Sequence, residues 1–251
     1  MTTRYKLILE FDGGPFVGWQ RQDNGRSIQG ALEDAVFKFS GERVTAHAAG
    51  RTDAGVHATA MPAHVDLEKA TSAGVVRDAL NFHLKPEPVA VLEAAEVGAD
   101  FHARFSATAR RYRYRIVNRR APLTLDLGRA WRIAPPLDAG AMHAAAQVLV
   151  GKHDFTTFRA STCQAETPVK TLSAISAFRA GEDVFIETRA RSFLHHQVRS
   201  MVGTLVEVGM GRWTAADFEA AFRAADRARC AQVAPPEGLY FIGADYDLDA
   251  N

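Results

Sequence analysis

The chain has 251 residues, 47% of them hydrophobic and 24% charged, with a formal net charge of +1. That composition is ordinary for a globular protein, long enough for one large core or two small domains, and it excludes a molecule that is a polycation overall. Two cysteines, Cys163 and Cys230, argue for a reducing cytoplasm over a disulfide scaffold, and no apolar run approaches membrane-spanning length.

Tyr5, Leu7, Leu9 and Phe11 alternate with Lys6, Ile8 and Glu10, which predicts a strand over 4–11. Asp12-Gly13-Gly14-Pro15 then reads as a turn. Ser27 is a candidate N-cap for a helix that carries Ile28, Leu32, Ala35, Val36 and Phe39 at helical spacing and ends at Gly41. Strands are expected at 43–49 and 57–67, a second helix over 72–84 ahead of Pro86, and a further strand at 88–97. That order, β-α-β-β-α-β, is the split arrangement of the ferredoxin-like fold.

The second half repeats the theme with longer connections. Strands are expected at 111–117 and 129–133, then a helix capped by Asp138 with Met142, Ala145, Ala146 and Leu149 on one side, stopped by Gly151. Strands at 170–179 and 183–190 precede a long helix over 192–208 carrying Leu194, Val198, Met201, Val202, Leu205 and Val206. Thr214 and Asp217 form a capping box for a short helix, and 238–246 closes the chain as a strand. The expected architecture is α+β: two ferredoxin-like (RRM-like) halves with antiparallel sheets, residues 1–104 and 105–251, joined across a central cleft.

Three stretches carry chemistry. Gly50-Arg51-Thr52-Asp53-Ala54-Gly55-Val56-His57-Ala58 crowds an arginine, an aspartate and a histidine into a glycine-bounded loop between two strands. A carboxylate there serves as a nucleophile, as a general base, or only as a turn residue bonded to its own backbone. Residues 104–120, RFSATARRYRYRIVNRR, hold seven arginines and two tyrosines without an acid. Arg111, Arg113 and Arg115 fall on one face of that strand, Tyr112, Tyr114 and Ile116 on the other. Such interleaving suits phosphate contacts and base stacking, against the alternative of a solvated edge strand with tyrosines in the core. Finally, Arg199 sits between Val198 and Met201-Val202 on a mainly apolar helix. It either points outward with Gln197 and Ser200 or needs a partner, for which Asp53 is the candidate.

No glycine-rich nucleotide fingerprint and no C-x-x-C motif occurs, and the nine histidines are scattered. The default is therefore a protein without cofactor or metal.

Taken together, these motifs resemble the TruA family of tRNA pseudouridine synthases, which modify positions 38, 39 and 40 of the anticodon stem-loop. The resemblance rests on GRTDAGVHA at 50–58, Phe11-Asp12-Gly13 followed by Gly18-Trp19-Gln20-Arg21-Gln22, FHARFSA…RRYRY at 101–114, HDFTTFRAS at 153–161, FLHHQVRSMVG at 193–203, and Pro235-Pro236-Glu237-Gly238-Leu239. Phe11 stands where the family has tyrosine. The resemblance implies Asp53 as nucleophile, Arg199 as its ion-pair partner, Tyr112 against the uracil and as a base, and Leu239 sealing the pocket. It implies Arg51, Arg111 and Arg113 as RNA contacts, a cytoplasmic homodimer sharing one tRNA, and no cofactor. Attack at C1′, attack at uracil C6 and elimination to a glycal-like intermediate all remain open for Asp53. The rival readings are a binding-only RNA protein with RRM-like halves, which has no use for an Asp53–Arg199 pair, and a glycosidic hydrolase, which wants a second carboxylate.

Overall fold

The computed structural model describes residues 2–247. In chain order the regular elements are β1 (Thr3–Phe11), α1 (Ile28–Ser40), β2 (His47–Ala48), β3 (His57–Leu67), α2 (Ala73–Leu84), β4 (Val89–Val97), β5 (Ala107–Asn118) and β6 (Trp131–Ile133). They continue with α3 (Ala139–Ala146), β7 (Gly151–Asp154), β8 (Val169–Ala180), β9 (Asp183–Ala190), α4 (Gln197–Gly209), α5 (Ala215–Arg223) and β10 (Leu239–Tyr246). The protein is thus α+β, with mostly antiparallel strands and five α-helices among the described residues. None of those helices is long and apolar enough to cross a membrane.

The chain divides into two compact units, residues 2–110 with 240–247, and residues 111–239. The expected boundary at 104/105 assigned everything after it to the second half. In the structure the closing strand belongs with the first unit from Tyr240 onward.

In the first unit β1 lies between β4 and β3, antiparallel to both, and β10 runs parallel beside β3. The register sets Tyr5 opposite Val65, Leu7 opposite Ala63 and Leu9 opposite Met61, so one face of the pair is continuously apolar. All six are fully buried, and with Ile28, Leu32 and Val36 of α1 and Val76 and Leu80 of α2 they form the core. Each large aliphatic side chain so buried contributes about 1.5–3 kcal/mol. Ser27 and Ser72 cap the two helices as expected, their hydroxyls accepting from Gly30 N–H and Val75 N–H.

The strand expected at 43–49 shrinks to the two residues of β2. Side chains take over its backbone partners: Ala46 N–H donates to Glu33 Oε1 at 3.0 Å, and Glu42 turns its carboxylate to the N–H groups of Glu68 and Lys69. A stretch whose polar groups are satisfied this way has no need of a ladder.

In the second unit β9 lies between β5 and β8, β7 lines the far edge of β8, and β6 pairs parallel with β5. Helix α3 packs on β8, α4 and α5. Asp138 caps α3, and Thr214 with Asp217 forms the anticipated capping box on α5. The helix expected over 192–208 starts only at Gln197. His196 adopts φ 60°, left-handed backbone that no right-handed helix passes through, so residues 192–196 form a loop.

Candidate active site

In the first unit the Asp53 loop is held from outside rather than by its own turn alone. Gly18 bridges Asp53 in antiparallel fashion, and Trp19 N–H donates to Thr52 O at 3.0 Å. The same Gly18-Trp19 pair accepts the first two N–H groups of α1, from Ile28 at 3.1 Å and Gln29 at 2.9 Å. One dipeptide therefore ties the loop to the start of a helix, which is the structural reason for the Gly-Trp-Gln motif. Gly18 has φ 113°, and a Cβ there would lie 2.5 Å from Thr52 O, so no other residue brings the two strands this close. Trp19 is buried and its ring lies 6.4 Å from that of Phe11, also buried. A phenylalanine at position 11 fills this apolar site without a hydroxyl to satisfy.

Val56 N–H closes the loop onto Asp53 O at 3.2 Å. Gly13 N–H then donates to His57 Nδ1 at 3.0 Å, and the His57 ring stacks on Tyr240 at 4.9 Å. Arg110 adds a bond from Nε to Ala49 O at 3.1 Å. Within this frame Asp53 is partly exposed, Arg51 is exposed and Thr52 is buried. Thr52 is turned inward and Asp53 lies on the accessible side, so the carboxylate is carried to a ligand on a fixed backbone.

The second unit holds the other predicted residues. Tyr112 is half-buried and meets Phe193 edge-on, ring centroids 5.2 Å apart. Its neighbour on the same face, Tyr114, is fully buried, and its hydroxyl donates to Pro235 O at 2.7 Å. Burial pushes the Tyr114 phenol well above its usual range. Arg199 occupies the third position of α4. Its Nε donates to Ala234 O at 2.8 Å while Ala234 N–H returns a bond to Arg199 O at 3.1 Å. This reciprocal pair fixes the base of the guanidinium, and Tyr114 and Ala234 together pin the 234–238 segment that leads into Leu239. Leu239 is buried at 6% exposure.

The acid-free basic segment recruits its acids from elsewhere in the same unit. Arg113 Nε lies 2.7 Å from Glu187 Oε1, Arg115 grips Asp126 and Asp183, and Arg119 meets Glu182 at 3.0 Å. Paired carboxylates hold the Arg115 guanidinium above its usual range even though burial alone would lower it. Arg111 is exposed on the same strand. Composition could not reveal these pairs, though the acids at 182, 183 and 187 on and beside β9 were the available signal.

Gln197 and Ser200, which the sequence offered as an outward face of the helix, are both buried, and the loop-closing part that Gln197 plays was not foreseen. Gln197 Oε1 accepts Leu194 N–H at 2.8 Å, closing the loop ahead of α4 after the left-handed His196.

A sequence profile described as tRNA pseudouridine synthase matches residues 7–106 and 145–247, most of the chain. The chain belongs to this family. Relatives called tRNA pseudouridine synthase A from Maricaulis maris, Afipia carboxidovorans and Rhodospirillum centenum are each 62% identical over 243 residues. The alignments cover 97% of this chain and 98%, 99% and 99% of theirs. As a tRNA pseudouridine synthase the chain is an isomerase. Its reaction breaks one C–N bond and makes one C–C bond within a single nucleotide, a redox-neutral exchange. Asp53, Arg199 and Leu239 fall inside the matched segments, whereas Arg111, Tyr112 and Arg113 lie between them.

Proposed function

We infer that this chain converts uridine to pseudouridine at positions 38, 39 and 40 of the tRNA anticodon stem-loop, with Asp53 as the nucleophile. The observation that carries the assignment is the Asp53 loop itself: a partly exposed carboxylate whose backbone is fixed by Trp19 on one side and Val56 on the other. The target base leaves its stack to reach this carboxylate, which costs least near the loop end of the stem. Arg199 is the charge partner that holds the carboxylate ionised and oriented in the working enzyme. Its anchoring by Ala234 supports that role, since a guanidinium with a fixed Nε presents its remaining donors in one direction. Tyr112 bounds the uracil and takes the C5 proton late in the reaction, and Leu239 excludes water. Arg51, Arg111 and Arg113 contact the RNA backbone.

The first half supplies the nucleophile and the second the basic strand and the Arg199 helix. Both halves are assigned the ferredoxin-like plan, supported by the β4-β1-β3-β2 neighbour order in the first unit. The working form is a cytoplasmic homodimer with one tRNA across both subunits. Sedimentation at micromolar protein is expected to give twice 27.4 kDa. A fully active monomer at every concentration refutes the dimer.

The deciding experiment is single-turnover conversion with saturating enzyme, read by base-resolved pseudouridine mapping. Asp53→Asn keeps shape but removes the charge, so it is expected to abolish conversion while tRNA affinity stays within about a few-fold, because phosphate contacts dominate that affinity. Arg199→Lys keeps charge but lacks the planar fork and the Nε–H bonded to Ala234, so both rate and stability should fall. An Asp53→Asn enzyme that converts uridine at the parental rate overturns the assignment. A dead Asp53→Asn beside a fully active and equally stable Arg199→Lys overturns the Arg199 role alone.

A further inference from the structure

Residues 98–106 of the first unit form a loop that is bonded along its length. Ser106 N–H donates to His102 O at 2.9 Å, Ala103 N–H to His64 Nδ1 at 3.1 Å, and the Tyr246 hydroxyl to Ala103 O at 2.7 Å. Arg4 reaches Ala99 O at 2.7 Å and Phe101 O at 2.6 Å, while its other donors grip Asp66. His102 Nδ1 accepts both Arg104 N–H at 3.1 Å and Phe105 N–H at 3.4 Å. From this braced loop Phe105 projects with 74% exposure. A lone exposed phenylalanine is common on protein surfaces, but its surroundings set this one apart. Its ring is backed by that of His102 at 4.4 Å, and His102 in turn meets His64 at 4.6 Å, so the ring is held from behind. The exposed Arg104 guanidinium lies 5.5 Å from the ring centroid, and residues 101–110 contain no acid.

The same loop is tied to the nucleophile's loop. Arg110 donates through Nη2 to Arg104 O and through Nε to Ala49 O at 3.1 Å. Ala49 stands four residues before Asp53, at most about 14 Å of extended chain. One guanidinium thus joins the Phe105 loop to the entry of the site. A uridine that flips toward Asp53 leaves the bases beside it short of a stacking partner. A fixed aromatic ring within reach offers a replacement that any base accepts, and the arginine on its flank suits the accompanying phosphate. A second copy of the chain fits this patch poorly, since a two-fold contact over Phe105 would set Arg104 against its own equivalent. We propose that Phe105 is a stacking platform for a nucleobase of the anticodon arm close to the target uridine, with Arg104 on an adjacent phosphate. The placement beside the target rests on the assignment of Asp53 as nucleophile.

The test uses Asp53→Asn protein, so that binding is read without conversion, and an anticodon stem-loop RNA carrying 2-aminopurine at one loop position at a time. With Phe105 in place, one position is expected to show fluorescence quenching on binding, as stacking on a ring produces. Phe105→Ala should abolish that quenching and weaken binding by about 5- to 150-fold, with the salt slope and the melting temperature unchanged. Phe105→Trp should restore both affinity and quenching. Arg104→Gln should lower the slope of log affinity against log salt by about 0.7, and an unchanged slope refutes its phosphate contact. Parental affinity in Phe105→Ala refutes the platform, and so does quenching that survives the substitution or an affinity that Phe105→Trp does not recover. A lowered melting temperature would assign the ring to the fold, and slower sedimentation of the parent than of Phe105→Ala is not expected; a Phe105→Ala protein that sediments as a smaller species would assign the ring to a contact between copies. Either result overturns the proposal. If Asp53→Asn still converts uridine, the nucleophile's assignment fails, and the same affinities and quenching still decide the role of Phe105.

Discussion

Replacing Gly238 with alanine tests how the 234–238 segment is seated. A Cβ at this position would lie 2.5 Å from Tyr114 Cζ, 2.6 Å from Cε1 and 2.7 Å from the phenol oxygen. The ring cannot swing away freely, since Tyr114 is fully buried, its hydroxyl is bonded to Pro235 O, and Trp131 stands edge-on at 6.2 Å. Overpacking of this kind costs about 1–3 kcal/mol. Losing the phenol–carbonyl bond adds about 1 kcal/mol. The sum of about 2–4 kcal/mol should lower the melting temperature by about 4–16 °C in a chain of this size. Because Ala234 is paired with Arg199 through both its N–H and its carbonyl, the displaced segment should also lower the single-turnover rate more than tRNA affinity. A double-mutant cycle identifies the contact. Tyr114→Leu is itself destabilising, but Gly238→Ala should cost far less in that background, with a coupling of about 1 kcal/mol or more. If Gly238→Ala is neutral, or if the two costs simply add, the proposed seating of the segment against Tyr114 is wrong.

Two further outcomes follow from charge. Replacing Arg111 and Arg113 together should lower the slope of log affinity against log salt by about 1.4, at about 0.7 per single-strand phosphate contact. Since Arg113 must release Glu187 to reach RNA, Glu187→Gln should tighten tRNA binding; a fixed slope with falling stability would instead assign these arginines to the protein's own acids. His64 concerns acid stability. Burial, assisted by nearby His102, Arg4 and His47 and opposed by Asp66, lowers it from 6.5 to about 4. The unfolded chain therefore takes up the proton first, so the contribution is complete above pH 6.5 and is lost as pH falls toward 4. Urea titrations at pH 7 and pH 5 should show the parent losing about 2 kcal/mol more than His64→Gln, in which the amide oxygen can still accept the Ala103 N–H. Parallel losses in the two proteins would refute this.

What could be read from the sequence was mostly local. Ser27, Ser72, Asp138 and the Thr214–Asp217 box mark helix starts because a cap is made by residues within one turn of each other. The apolar alternation of β1 was equally plain. The misses came from contacts remote in sequence or from backbone that composition does not encode. The shortening of β2 depends on Glu33 and Glu42 reaching backbone groups up to 27 residues away. The late start of α4 depends on left-handed backbone at a histidine, a residue type with no strong demand for it. Arg113 and Glu187 stand 74 positions apart, so an apparently unneutralised strand was partly neutralised. For the site, the GRTDAGVHA loop was legible as a motif, but its dependence on Gly18 and Trp19 came only with the bridge between them.

The return of β10 to the first unit bears on how the chain folds as it is made. Residues 111–239 are contiguous and are all available once α5 and the turns after it have left the ribosome. The first unit is interrupted: its strand beside β3 is the last regular element of the described chain, with Tyr240 opposite His57 and Phe241 opposite Ala58. The strand that continues from the nucleophile's loop thus waits for almost the whole polypeptide before the neighbour of its first residues, His57 and Ala58, arrives. Newly made chains truncated ahead of Tyr240 would hold a finished second unit beside an unfinished first one, so the loop that carries Asp53 is among the last parts of the molecule to gain its full support.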